Sequence, residues 1–277
     1  MDDSRSAPSI VRTASEGSWL PLRGFVIEVG EICLMAARTI VKAVTPPYSY
    51  GPEFIEQFMF VLRLAWFPMI LTSLGLSFGP AGIQTVGILK LFGAVDRLGG
   101  VFALVVVREF APLVCAIVIA GVAGTAITAD LGARKVREEL DALVVMGVDP
   151  IRSLVVPRFL SLMLITALFD IYALIFGTLG GLLVALINHS GSGPFFTTYF
   201  TTATPLELGA SLLKTALYGA IIAIVCCYKG LTASGGPEGV GRAVNQAVVI
   251  AMLAIGAFDY VFTQTLLATH PSLSAIR

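Results

Sequence analysis

From Leu20 to Val44, apolar residues recur with helical spacing. Val26, Val29, Ile32, Cys33, Ala36 and Ile40 fall three or four positions apart, while Arg23, Glu28, Glu31, Arg38 and Lys42 interrupt the run. That charge density is too high for a membrane span. The pattern predicts an amphipathic helix over 19–45 lying along a membrane surface, although a soluble amphipathic helix has the same period. Pro46 and Pro47 end it. Beyond them the pattern changes to long apolar runs. A span needs about 20 apolar residues, because 1.5 Å per residue must cross about 30 Å of hydrocarbon. Five runs qualify: 54–78 with Pro68 inside, 98–129, 154–187 with Gly177, Gly180 and Gly181 near its end, 206–228 and 244–268. The expectation is an all-α polytopic membrane protein with an N-terminal interfacial helix and five transmembrane helices, its membrane domain covering 53–269. No inverted internal repeat is visible.

Composition narrows the class. Of 277 residues, 56% are hydrophobic and 13% charged, and mean hydropathy is +0.88. A water-soluble domain needs a more charged exterior. The 18 basic and 18 acidic residues cancel, so no basic excess points to nucleic acid. The stretch 1–18 is polar, with Asp2, Asp3, Arg5 and Arg12, and lacks the apolar core of a cleavable signal; it is expected to be a cytoplasmic tail. Cys33, Cys115, Cys226 and Cys227 sit in or beside apolar runs and form no disulfide framework. Without CxxC, HExxH or an acidic cluster around His189 and His270, no zinc site is expected.

Lys and Arg orient the chain. With the N-terminus cytoplasmic, inner segments carry Arg5, Arg12, Arg23, Arg38, Lys42, Arg134, Lys135, Arg137, Arg152, Arg158, Lys229 and Arg242, against Lys90, Arg97 and Arg277 outside. Twelve against three is a positive-inside bias, and five spans then put the C-terminus outside. The loop from Gly191 to Pro205 has no basic residue, as an outer loop should.

The stretch from Asp130 to Arg158 concentrates charge. Val136, Leu140, Leu143 and Val144 fall at i, i+4, i+7 and i+8 among Glu138, Glu139 and Asp141, and Gly147 and Pro150 stop the pattern. It predicts a short helix parallel to the membrane, either docking a soluble partner or only joining two spans. Arg108 and Glu109 stand inside the second run, just before Pro112. Intramembrane charges face a cavity or one another, so the pair reads as a polar patch in a substrate path or as a structural ion pair. Lys214 and Asp259, and the lone charges Arg63 and Asp170, raise the same question. Ala120, Gly121, Gly124 and Thr125 make a small-residue face suited to close helix packing or a subunit interface. No P-loop and no GxSxG occur, so any ATP hydrolysis belongs to another polypeptide.

The residues Arg108, Glu109, Pro112, Ala129-Asp130-Leu131-Gly132, Glu138 to Leu143, Val148-Asp149-Pro150 and Val155-Val156-Pro157-Arg158 resemble the signature of the MlaE/YrbE permeases, the membrane subunits of ABC-type lipid transporters that work with MCE proteins. The resemblance continues more weakly to Leu267 through Lys214, Tyr228-Lys229-Gly230 and Phe258-Asp259-Tyr260. It is similar in particular to the actinobacterial YrbE chains of Mce systems, of A type. The resemblance implies a non-enzymatic permease subunit in the inner membrane, paired with a second YrbE chain as a heterodimer. It implies an ABC ATPase dimer of the MceG/Mkl type, an MCE protein hexamer and a lipid substrate: fatty acid, mycolic acid or sterol, moved inward. The chain itself would bind no cofactor; ATP and Mg would enter through the ATPase. The helix over 135–146 would be the coupling helix, with Lys135, Glu138, Glu139 and Asp141 as polar contacts and Leu140 and Leu143 as apolar ones. Arg108, Glu109 and Lys214 would line the substrate cavity. A scaffold that anchors an MCE assembly without a substrate path is the other reading.

Overall fold

The computed structural model describes residues 20–46 and 50–269. The expected tail over 1–18, His270 and Arg277 lie outside them. Helix α1 (Leu20–Val44) is followed by five helices long and apolar enough to cross a membrane: α2 (Gly51–Leu91), α3 (Val95–Val136), α5 (Ile151–Ile187), α7 (Pro205–Leu231) and α8 (Gly236–Thr269). Two short helices join spans, α4 (Glu139–Val145) between α3 and α5, and α6 (Ser192–Thr202) between α5 and α7. No strand occurs among the described residues. In the most apolar windows of α3 and α7, 61% of residues are buried, against 22% in α2 and 17% in α8. Spans α3 and α7 are therefore the core, with α5 packed between α2 and α7, and α2 and α8 form the rim.

The spans run further than their hydropathy. α2 continues through Pro80 because a wider π turn at Ser77–Ile83 absorbs the missing amide. α5 approaches α2 and α3 closely at its outer end. A Cβ at Gly180 would lie 2.8 Å from Ser77 Cβ, and one at Gly181 would run into the Phe102 ring. The glycines over 177–181 are thus the contact surface of the third span.

One end of the bundle carries Arg38, Lys42, Arg134, Lys135, Arg137, Arg152, Arg158, Lys229 and Arg242; the other carries Lys90 and Arg97. α1 crosses the basic end. Glu28 pairs with Lys229 and Glu31 accepts from the Tyr228 hydroxyl, so its first half is fixed to the end of α7. Its second half is fixed to the start of α5 by Lys42 with Asp149, and by Arg152 donating to the Thr45 and Pro46 carbonyls at 2.8 and 3.1 Å. Anchors on two span ends of the same side put α1 across the bundle rather than along it. Its polarity is turned inside out. Glu28 and Lys42 point at the bundle, while Val26, Ile27, Leu34, Ile40 and Val41 are exposed. An outward apolar stripe on an ion-paired helix suits a bilayer surface, not water.

Two sequence expectations change. The segment 135–146 is not one helix. Lys135 and Val136 finish α3, and Glu138 takes the left-handed conformation (φ 61°), its amide bonded to the Lys135 carbonyl. Only Glu139–Val145 is then helical, because the turn at Arg137 and Glu138 breaks the expected helix after its first two residues. Second, the outer loop between Gly191 and Pro205 contains α6, whose Phe195 is buried on Phe102. Its short apolar–threonine pattern carries too few turns to register as periodic. Arg158, counted with the inner basic residues, is buried at the start of α5. It is 3% exposed and bridges the spans by donating to Asp130 at 2.6 Å.

Candidate functional site

The intramembrane charges gather on α3, α7 and α8. At Arg108 the α3 backbone opens into a π turn, Val106–Phe110. Pro112 has no amide to give the Arg108 carbonyl, four residues before it. Lys214 Nζ from α7 occupies that carbonyl instead, at 3.1 Å. The same ammonium reaches Glu109 Oε2 at 2.8 Å, Thr263 Oγ1 at 3.1 Å and the Asp259 carboxylate. Thr263 passes its own proton to Glu109 Oε1, and Tyr218 donates to Asp259. Lys214 is 2% exposed, so these oxygens replace its water almost completely.

Arg108 turns the other way and pairs with Glu207 in the first turn of α7. Glu207 also closes a capping box, accepting the Thr204 amide at 3.2 Å while Thr204 Oγ1 takes the Glu207 amide at 3.3 Å. It is thus fixed both as a helix cap and as the counterion of Arg108. One turn on, Ser211 donates to Asp170 of α5 at 2.7 Å; both are fully or nearly fully buried, and Asp170 Oδ1 has no hydrogen-bond partner. The cluster is off-centre. Lys214 stands nine residues from Pro205 and seventeen from Leu231, about 14 and 26 Å along the helix at 1.5 Å per residue. It lies toward the end opposite the basic face. A small cavity of about 10 Å³ opens beside it, lined by Arg108, Glu207, Ser211 and Lys214 on one side and by Phe262 and Leu266 on the other.

Of the expected cavity residues, Arg108, Glu109 and Lys214 do meet, each as part of an ion pair. Asp259 joins them. Arg63 does not: it is exposed on α2, beside Glu56 and Phe60. Glu207 was not foreseen, although Thr-x-x-Glu at a span start is a readable capping signal. The small-residue face divides. Ala120 and Gly124 are buried, a Cβ at Gly124 lying 2.9 Å from Cys226 Sγ, whereas Gly121 has open space.

At the basic end, Asp130 accepts from Arg134 at 3.1 Å and from Arg158, locking the end of α3 to the start of α5. Between them α4 projects. Its expected polar contacts are partly used within the chain: Asp141 holds Lys135 at 3.0 Å and Glu139 holds Arg137 at 2.7 Å, while Glu138 stays exposed. Leu140 is 5% exposed and packs under the turn, so it is not an outward contact, and Leu143 is half-buried. The outward apolar surface is instead Val144, Val145 and Met146, with Val145 88% exposed. After α4, Asp149 Oδ1 accepts the Ile151 amide at 3.1 Å and starts α5. Burial pushes its pKa up, but hydrogen bonds from Lys42 and from the Ile151 and Arg152 amides, with the Lys42 charge, outweigh it and hold the carboxyl below its usual value.

Residues 54–265 match the family model described as Permease MlaE. A probable ABC transporter permease of Synechocystis is 39% identical over 165 residues, spanning 59% of this chain and 63% of that protein. A probable ABC transporter permease of Rickettsia conorii is 28% identical over 241 residues, 87% of this chain and 92% of its own. The intermembrane phospholipid transport system permease protein MlaE of Haemophilus influenzae is 31% identical over 219 residues, 78% and 83% of the two chains. The family model spans all five membrane helices and the charged cluster between them, and on that match the chain belongs to the MlaE permease family.

Proposed function

We propose that this chain is the transmembrane permease subunit of an ATP-driven lipid transporter of the MCE type. It would work in the inner membrane beside a second YrbE-like chain, moving lipid inward from an MCE hexamer. The basic end faces the cytoplasm, by the positive-inside rule, and the C-terminus faces out. ATP and Mg are bound by a partner ABC ATPase dimer; this chain holds neither and has no catalytic residues. The observation that carries the reading is α4, a helix held clear of the bundle with Val144, Val145 and Met146 exposed among Glu138, Asp141 and Arg137. Such a knob between two ion-paired spans fits a groove on a soluble motor. Nucleotide-driven motion of α4 would pass through the Asp130–Arg158 tie into α3 and α5, two of the spans nearest the charged cluster. Lipid relatives support the cargo: the Haemophilus protein is named for phospholipid transport.

The test is to reconstitute the permease with its ATPase and to change α4. Glu138→Lys, Glu139→Lys and Asp141→Lys together, and separately Val145→Glu, are expected to abolish co-purification and the response of ATPase rate to the permease. Retention of both in both variants overturns the docking reading. The scaffold reading has one observation in its favour: Arg108, Glu109, Lys214 and Asp259 are all paired within the chain. Arg108→Ala with assembly intact and lipid movement unchanged would favour it.

A further inference from the structure

We infer that the outward face of α2 holds a resident phosphatidylethanolamine from the leaflet at the basic end, its phosphate on Arg63 and its ammonium on Glu56. Arg108 and Lys214 are paired inside the bundle. Arg63 is exposed on the rim, and among the described residues it has neither an ion pair nor a hydrogen bond. A guanidinium that faces hydrocarbon must find an anion or reach the interface. Glu56 is also exposed and equally without a partner. The two are seven residues apart, so they share one face of α2, with about 10 Å between them along the axis. With Met59, Phe60 and Leu64 they line a groove of about 430 Å³, within the roughly 300–1,000 Å³ of small-ligand sites.

The order of the groups selects the lipid. α2 starts at the basic end, and the Cα–Cβ bond of a helical residue tilts toward the helix N-terminus. The long Arg63 stem therefore carries its charge toward Glu56 and the head-group level. From the basic end inward the face reads anion, cation, apolar wall, because Phe67 and Leu71 continue it and are exposed. Glu53, exposed one turn further out, adds to the negative end. A zwitterionic phospholipid of that leaflet presents ammonium, phosphate and acyl chain in the same order. Phosphatidylglycerol brings no cation for Glu56. Phosphatidylcholine brings a cation without an N–H. An ethanolamine ammonium has three donors for a carboxylate, and a guanidinium can fork onto phosphate oxygens. The groove is separate from the charged cluster, which lies on α3, α7 and α8, and the inference does not depend on the cargo or the motor.

The experiment is native mass spectrometry of the full chain in detergent, titrated with phosphatidylethanolamine, phosphatidylcholine or phosphatidylglycerol. The ethanolamine lipid is expected to bind about tenfold more tightly than either of the others, the weight of one charge-assisted contact. Arg63→Leu should lose that adduct and Arg63→Lys should keep most of it. Glu56→Gln should erase the preference over phosphatidylcholine. Both side chains are exposed, so the melting temperature should not move. If Arg63→Leu melts early, Arg63→Gln supplies the same reading. Equal retention of the three lipids by the parent, or an undiminished ethanolamine adduct in a stably folded Arg63 variant without the charge, overturns the inference. So does efficient cross-linking of Met59→Cys to a second copy or to another protein in native membranes, since a protein chain then covers the groove.

Discussion

Lys214→Met removes the cation at the centre of the cluster and leaves two carboxylates facing each other. Deleting one partner of a buried ion pair costs about 3–5 kcal/mol. Glu109 and Asp259 retain 35% and 19% exposure of their side chains, so water takes up part of their solvation. The lower end, about 3 kcal/mol, is the expected loss. At about 2.1 cal/mol/K of unfolding entropy per residue, a chain of 277 residues loses roughly 5 °C of melting temperature. The protein supplies its own reporter. Cys115, Cys226 and Cys227 are free and buried, so a thiol-reactive dye reads their exposure on heating, over a constant signal from exposed Cys33. Adding Glu109→Gln and Asp259→Asn to Lys214→Met removes the unpaired charges and should restore most of the loss. A single variant that melts within about 1 °C of the parent, or a triple variant no better than the single, refutes the idea that these groups are held by mutual charge.

Other consequences are open to direct measurement. Gly219→Ala drives a Cβ into the Leu162 carbonyl of α5, and overpacking of this kind costs about 1–3 kcal/mol. Gly121→Ala meets nothing and should melt no lower than the parent. The same thiol-dye melt compares them. Asp130→Asn strips the carboxylate from nearly buried Arg158 and should lower the melt more than Arg134→Gln, which leaves that bridge intact. The Asp149 carboxyl titrates below its usual value. Its stabilisation is therefore complete above the unfolded-state value and is lost as pH falls through the lower, folded one. Protection factors of the amides over residues 26–44, which remove the intrinsic pH dependence of exchange, should be high and constant at neutral pH and fall on acidification below the usual aspartate range. In Asp149→Asn they should be low throughout; unchanged protection in that variant would contradict the tie to Lys42.

The number and order of the spans were readable because each is a near-continuous apolar run, and lipid demands that pattern of any helix it surrounds. Their ends were not. The charged first turn of α8 at Glu238 and the last turns of α3 at Arg134 and Lys135 are helical without being apolar. Arg108 and Glu109 announced a polar site by their depth alone. The partner of Arg108 lies 99 residues away, and no local pattern encodes that distance. At α4 the periodicity was real but the helix was not continuous. A left-handed glutamate carries no sequence mark comparable to glycine, and the turn it makes sends Leu140 inward and Val145 outward.

The strap formed by α1 has a mechanical consequence. It is joined at one end to the foot of α7 and at the other to the turn that follows α4, while its outer surface is apolar. The two fastenings couple the foot of α7 to the turn after α4 through a single rigid helix, so neither can shift without dragging or straining the other.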